Sequence, residues 1–106
     1  MEQLKECNMK TNAWKDCEND TGVEYSLQFS EVPWKFRKAL SEAMKDWRQT
    51  GYGWHKDSGN QIFIYRKTFG STEEWENWAG NFPIQISESR FWGEREKVVI
   101  HGKKKK

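Results

Sequence analysis

The chain has 106 residues and a formal net charge of +2, which allows one domain with a single core and excludes a strong overall electrostatic field. Hydrophobic residues make up only 35% of the sequence and charged residues 32%, a balance that is common in disordered chains. Seven tryptophans, three tyrosines and six phenylalanines indicate a folded domain instead, because each aromatic ring buries a large apolar area.

The first 22 residues are polar and lack a hydrophobic period, with Trp14 as the one hydrophobic anchor between Cys7 and Cys17. We expect a polar N-terminal arm there, or a short helix. From Val23 to Phe29, every second residue is apolar, which predicts a strand with one buried face.

The strongest pattern in the chain follows, with apolar residues at the spacings of one helix face: Phe36, Leu40, Ala43, Met44 and Trp47. It predicts an amphipathic helix over residues 32–50, capped by Ser30 and ended by Gly51. A β-hairpin is predicted next, with strands at 52–56 and 61–69 and a turn at Asp57-Ser58-Gly59-Asn60. Because residues 62–65 are apolar on both faces, the second of these strands is expected in the interior of the sheet.

The sequence Ser71-Thr72-Glu73-Glu74 is a capping box. Apolar residues at helical spacing follow it, and Gly80 and Pro83 are expected to end this second helix. Residues 84–87 and 97–101 read as strands, with a turn predicted at Phe91-Trp92-Gly93.

The element order is therefore β-α-β-β-α-β with an extra C-terminal strand. It predicts an α+β two-layer sandwich, a ferredoxin-like antiparallel sheet with both helices on one face. The expected organisation is an arm at residues 1–22, a single domain at 23–102 and a basic tail at 103–106. Alternatively, residues 84–101 form a hairpin of their own, which would change the strand order.

Catalytic and metal-binding patterns are weak. His55, His101, Cys7 and Cys17 could together supply four zinc ligands, but neither pair has the close spacing of structural zinc sites. No phosphate-binding loop or metalloprotease motif is present in the sequence. We therefore expect a non-enzymatic protein that needs no metal or cofactor.

A binding surface is better supported. If Ile62 and Ile64 face the core, Phe63, Tyr65 and Lys67 point to the open face of the sheet, as a stacking platform with cations beside it. This predicts binding of single-stranded nucleic acid, with diffuse attraction from the lysine tail unless that tail is only solvated. The predicted binding residues are Trp54, Lys56, Phe63, Tyr65, Lys67, Lys103 and Lys104.

The same aromatic residues also favour a protein partner, because Trp, Tyr and Arg dominate interface hot spots. The alternative function is therefore a protein-binding module or an inhibitor, of the type that viruses and mobile elements encode. The predicted platform could also be buried rather than open, covered by a second copy in a homodimer, by the N-terminal arm or by the Phe91-Trp92 segment.

The stretch Gly51-Tyr52-Gly53-Trp54 resembles the core of the RNA-recognition-motif signature. It falls on the first strand of the hairpin, whereas that family places it on the second, and Thr50 stands where a basic residue is expected. No family is assigned on this basis. The sequence shows no signal peptide and no membrane-spanning run, so we expect an intracellular, cytoplasmic protein without membrane contact, with both cysteines reduced.

Overall fold

A computed structural model of the chain describes residues 9–89 and 98–101. They form one mixed sheet, with two helices packed on it. The strands are β1 (Lys10–Asn19), β2 (Gly22–Val32), β3 (Arg48–Trp54), β4 (Gln61–Phe69), β5 (Ile86–Ser89) and β6 (Val98–His101), and the helices are α1 (Arg37–Ala43) and α2 (Thr72–Gly80). The strand order is β3-β4-β2-β1-β5-β6, and every neighbouring pair is antiparallel except β1 with β5.

The α+β class is confirmed, but the predicted ferredoxin-like sheet is not. From β2 to β5 the elements follow the predicted β-α-β-β-α-β order. However, β1 lies between β2 and β5, so the expectation of an arm or a short helix is wrong for Lys10–Asn19. The backbone of β1 pairs on both sides, and this pairing does not require an apolar side-chain pattern.

The first helix is shorter than predicted, because β2 continues to Val32 through an irregularity that includes Glu31 at a φ of 59°. A 3-10 turn (Trp34–Phe36) then leads into α1. Ser30 and Gly51 lie in strands, so both predicted helix ends are wrong. The predicted burial of Phe36, Leu40, Met44 and Trp47 is confirmed, with the last two in the turn that follows α1.

The hairpin and the second helix agree well with the sequence patterns. The bounds of β4 match the prediction, and β4 lies inside the sheet between β3 and β2. Ser71 caps α2 by accepting a hydrogen bond from the Glu74 backbone N–H at 3.2 Å, while the Glu74 side chain accepts one from the Gly70 N–H at 3.0 Å. β5 and β6 pair antiparallel, as expected if the C-terminal strands form their own hairpin. The predicted turn at Phe91-Trp92-Gly93 lies outside the described residues.

The core between the sheet and the helices is mostly aromatic. Trp75 is fully buried and stacks on Tyr25 with ring centroids 4.3 Å apart. The rings of Trp47, Phe69 and Trp78 surround Trp75 at centroid distances of 5.7 to 6.4 Å. These large rings explain how a chain with few aliphatic residues fills a single core.

Candidate binding surface at the sheet edge

The predicted platform on β4 is wrong, because Phe63 and Tyr65 do not point to the open face of the sheet. Phe63 and Tyr65 are each only 5% exposed, and both belong to the core. The register pairs Phe63 with Phe29 and Tyr65 with Leu27, which places all four side chains on the helix-covered face. Because β4 is apolar on both faces, the alternation of its residues does not determine which side chains face the helices. The sequence analysis placed Ile62 and Ile64 there, whereas the structure places Phe63 and Tyr65 there.

The other predicted binding residues are separated by the fold. Lys67 shares the helix-covered face, and its Nζ lies 5.8 Å from the Phe69 ring centroid. Trp54 and Lys56 are exposed at the opposite end of β4, where the hairpin turns. Lys103 and Lys104 lie outside the described residues. The structure therefore groups Trp54 with Lys56 and excludes Phe63, Tyr65 and Lys67 from that group.

Three large aromatic side chains of the described residues stand out by their exposure. Trp34 is 63% exposed, Tyr52 54% and Trp54 58%. Trp54 pairs with Gln61, Gln61 pairs with Val32, and Trp34 follows Val32 by two residues. Since paired strands lie about 4.8 Å apart, the three side chains belong to the same end of the sheet. We call Trp34, Tyr52 and Trp54 the aromatic edge.

Tyr52 is held in place by its neighbours on β4. Its ring centroid lies 5.2 Å from that of Phe63, and its hydroxyl donates a hydrogen bond to Gln61 Oε1 at 3.2 Å. Gly51 lies on the opposite face, where a Cβ atom would be 3.1 Å from Ile64 Cδ1. Gly51 thus lets β3 lie close against β4 at this point, while Tyr52 and Trp54 point to the helix side.

Cations accompany the aromatic edge. The guanidinium of Arg37 lies 5.3 Å from the Trp34 ring centroid, an arrangement that favours cation–π attraction. Burial raises the pKa of Tyr65, and the charge of Arg37 counteracts part of that rise. Lys35 and Lys56 are also exposed, next in sequence to Trp34 and close to Trp54. This end of the sheet combines exposed rings with positive charge.

Polar groups form a second cluster at the other side of the core, which the sequence patterns did not predict. Glu88 Oε1 accepts a hydrogen bond from Trp75 Nε1 at 2.9 Å and lies 2.7 Å from His101 Nε2. The pKa of Tyr25 is raised above its ordinary value, mainly by burial and also by the nearby Glu88 carboxylate. The cluster gives the buried indole N–H of Trp75 a partner, which supports a structural role.

The two histidines are far apart in the sheet. His101 belongs to β6 and His55 directly follows β3, and these strands are the opposite edges of the sheet. They are therefore not brought together as a shared zinc site requires. Within residues 9–89 and 98–101, no group of three or more His, Cys, Asp or Glu side chains is placed to hold a metal ion. Cys17 is a free, exposed cysteine, and Cys7 lies outside those ranges.

The sheet face opposite the helices carries a polar cluster in place of the predicted aromatic platform. Asp16 accepts hydrogen bonds from Trp14 Nε1 at 3.1 Å and from the Ser26 hydroxyl, and Arg66 Nε lies 3.3 Å from its carboxylate. The positive charge of Arg66 therefore offsets the negative charge of the Asp16 carboxylate on this face. Side chains of Ile62 and Ile64 share this face and are only partly exposed.

A groove of about 490 Å³ lies between the two helices, and neither His55 nor His101 lines it. Its lining residues are Ala43, Asn77, Trp78, Asn81, Phe82 and Pro83. Across the described part of the chain, no helix has the length and apolar character needed to cross a membrane. Comparison with protein-family models, with curated proteins and with solved structures gives no match for this chain.

Proposed function

We propose that this protein binds single-stranded nucleic acid through the aromatic edge. The observation that carries the proposal is the exposure of Trp34, Tyr52 and Trp54, each more than half open to solvent at the same end of the sheet. Unpaired bases stack on such rings, and each stacked base contributes about 1–3 kcal/mol with little dependence on sequence. Bases within a duplex are already stacked on each other and gain less from the same rings.

Positive charge beside the rings supports the same ligand. Arg37, Lys35 and Lys56 can contact phosphates while the neighbouring bases stack. The sequence adds Lys103 and Lys104, which we propose contribute diffuse attraction. With a net charge of only +2, stacking must supply a substantial share of the affinity.

A protein partner is the second candidate, and it is favoured by the outer edge of β3, which pairs with no other strand in the described part of the chain. Extended segments of other proteins add to exposed sheet edges through backbone hydrogen bonds. Exposed Trp and Tyr beside such an edge are typical of interface hot spots. The two candidates differ in their response to salt, because phosphate contacts weaken steeply as salt rises, whereas an aromatic protein interface responds weakly.

The direct test measures the fluorescence anisotropy of labelled oligodeoxythymidine and oligouridine as the protein is added, at several salt concentrations. Trp54→Ala and Trp34→Ala should each reduce the affinity by about 5- to 150-fold, the equivalent of one lost stacked base. Lys56→Ala should flatten the dependence of log affinity on log salt by about 0.7, the value for one phosphate contact on a single strand.

Lys15→Ala is the matched control for charge, because Lys15 pairs with Tyr25 at the far end of the sheet. It should leave the salt dependence unchanged. The proposal is wrong if neither oligonucleotide binds at low salt, or if both Trp variants bind as tightly as the natural chain. In the first case, the protein-partner function becomes the leading candidate.

A further inference from the structure

β3 is an edge strand with little protection against further pairing. It pairs only with β4 among the described strands. Natural sheets protect their edges with prolines and charged residues, yet β3 contains no proline and only one charged residue, Arg48. The register irregularity between Gln49 and Gly51 leaves residues 51–54 as its regular segment.

The direction of the backbone groups in this segment follows from the hairpin. The His55 N–H donates to the Asn60 carbonyl at 2.8 Å, in the same register that pairs Trp54 with Gln61. Backbone groups of successive strand residues point in alternate directions. Those of Gly53 therefore point toward β4, and those of Tyr52 and Trp54 point away from the sheet. Two N–H donors and two carbonyl acceptors thus face outward.

We propose that a second copy of this chain pairs with this segment, β3 against β3 in antiparallel orientation, with the two-fold axis beside Gly53. Tyr52 of one copy then lies opposite Trp54 of the other. In this register the outward N–H of each of these residues meets the outward carbonyl of its opposite residue. All four outward groups of each copy are satisfied, and the two sheets become continuous.

The side chains of the segment are self-complementary in the same register. Tyr52 and Trp54 point to the helix side, so their rings pair across the two strands, an arrangement that stabilises antiparallel sheets. On the opposite face, Gly53 meets Gly53 of the second copy without steric conflict. Arg48, at the start of β3, comes beside the hairpin turn of the second copy, where Lys56 and Asp57 carry opposite charges, so the turn presents no net repulsion. This combination favours a second copy over an unrelated partner, because an isologous interface must match itself.

The proposed dimer is formed by backbone groups and rings of the protein alone, and its test uses no nucleic acid. The inference therefore does not depend on the proposed function. A four-residue strand pair buries less surface than a standard interface, so we expect a weak, concentration-dependent dimer.

Sedimentation equilibrium of the natural chain, without nucleic acid, tests the dimer directly. The average mass should rise from 12.7 kDa toward twice that value as the concentration increases. Trp54→Pro removes an outward N–H that makes no bond within the sheet, so it should fold normally and remain monomeric. A natural chain that stays at 12.7 kDa over the whole concentration range would overturn the inference.

Disulfide trapping tests the register, in a background with Cys7→Ser and Cys17→Ser. Positions 53 of the two copies would form a non-hydrogen-bonded pair with Cα atoms about 4.5 Å apart, which is within the range for a disulfide. A Cβ atom at Gly53 would lie 3.8 Å from Ile62 Cβ, an ordinary contact, so Gly53→Cys should fold. It should form a disulfide-linked dimer under mild oxidation.

Gly80→Cys is the matched control, because Gly80 is an exposed position at the end of α2 where an added Cβ contacts nothing within 4 Å. It should form no disulfide-linked dimer under the same conditions, although its β3 strands can still pair. Equal trapping of both variants would contradict the register. Binding of oligonucleotides by a strictly monomeric chain would refute only this inference, and a dimer that binds no oligonucleotide would refute only the proposed function.

Discussion

The two strands of the hairpin carry aromatic residues on the same face of the sheet, but in opposite environments. Tyr52 on β3 is directly opposite Phe63 on β4, and their rings are in contact. Phe63 is nonetheless buried, together with Tyr65, whereas Tyr52 and Trp54 are exposed. Residue type and strand face are thus the same for both sets, and neither explains the difference in burial.

The difference comes from the neighbours of each strand. β4 lies between β3 and β2, and its aromatic side chains share one core with Phe36 and Leu40 from the first helical segment. Among the described strands, β3 lies at the edge of the sheet and has β4 on one side only. Aromatic residues of the interior strand therefore stabilise the fold, while those of the edge strand are available for contact with another molecule.

The largest expected effect tests the buried half of this comparison. Phe63→Ala should lower the free energy of unfolding by about 3–5 kcal/mol, the usual range for truncation of a buried aromatic side chain. Chemical denaturation followed by far-ultraviolet circular dichroism measures the change. An unfolding midpoint equal to that of the natural chain would mean that Phe63 is not part of the core.

Alkaline pH should also lower the stability of the buried core, through the Tyr25 hydroxyl. Burial and Glu88 hold the pKa of Tyr25 above its ordinary value, so the unfolded chain loses the hydroxyl proton at lower pH than the folded chain. The resulting stability is fully present below a pH of about 10, the ordinary Tyr pKa, and is lost as the pH rises further.

Above that pH, Tyr25 should contribute a decline of up to about 1.4 kcal/mol in the free energy of unfolding for each pH unit. Urea unfolding at a series of pH values from about 8 to about 11, on both sides of the ordinary Tyr pKa, measures this slope. In Tyr25→Phe the decline should be shallower, and an identical slope in the variant would show that Tyr25 does not contribute.

A smaller effect is expected at the start of α2, the helix that carries Trp75. Ser71→Ala should lower the free energy of unfolding by about 1 kcal/mol, because the Glu74 N–H loses its hydrogen-bond acceptor. Ser71→Asp keeps an acceptor at that position and should change stability very little. Thermal unfolding of both variants provides the comparison, and two silent changes would contradict the capping role.

The smallest effect on stability is expected for the exposed aromatic residues of β3. Trp54→Ala should change the free energy of unfolding by less than about 0.5 kcal/mol, as is usual for surface substitutions. The same variant should lose oligonucleotide affinity, so that stability and binding separate at this residue. A loss of stability similar to that of Phe63→Ala would remove the distinction between the two strands.

Some features of this protein were determined by short stretches of its sequence. The strand at Val23 to Phe29, the bounds of β4 and the capped second helix were all predicted, because each depends on a local hydrophobic period or on one hydrogen bond between residues close in sequence. The burial of Phe36, Leu40, Met44 and Trp47 was predicted for the same reason. Ala43 of the same pattern is exposed, and the helix was not predicted at the right length.

Other features were decided only by tertiary structure. β1 gives no periodic signal, yet it lies inside the sheet because both of its neighbours pair with its backbone. The face of β4 that is buried depends on its register with β2, since both of its faces are apolar. Exposure of Tyr52 and Trp54 depends on the position of β3 at the edge of the described sheet. Pairing between distant strands decides each of these outcomes, and a local sequence pattern does not contain that information.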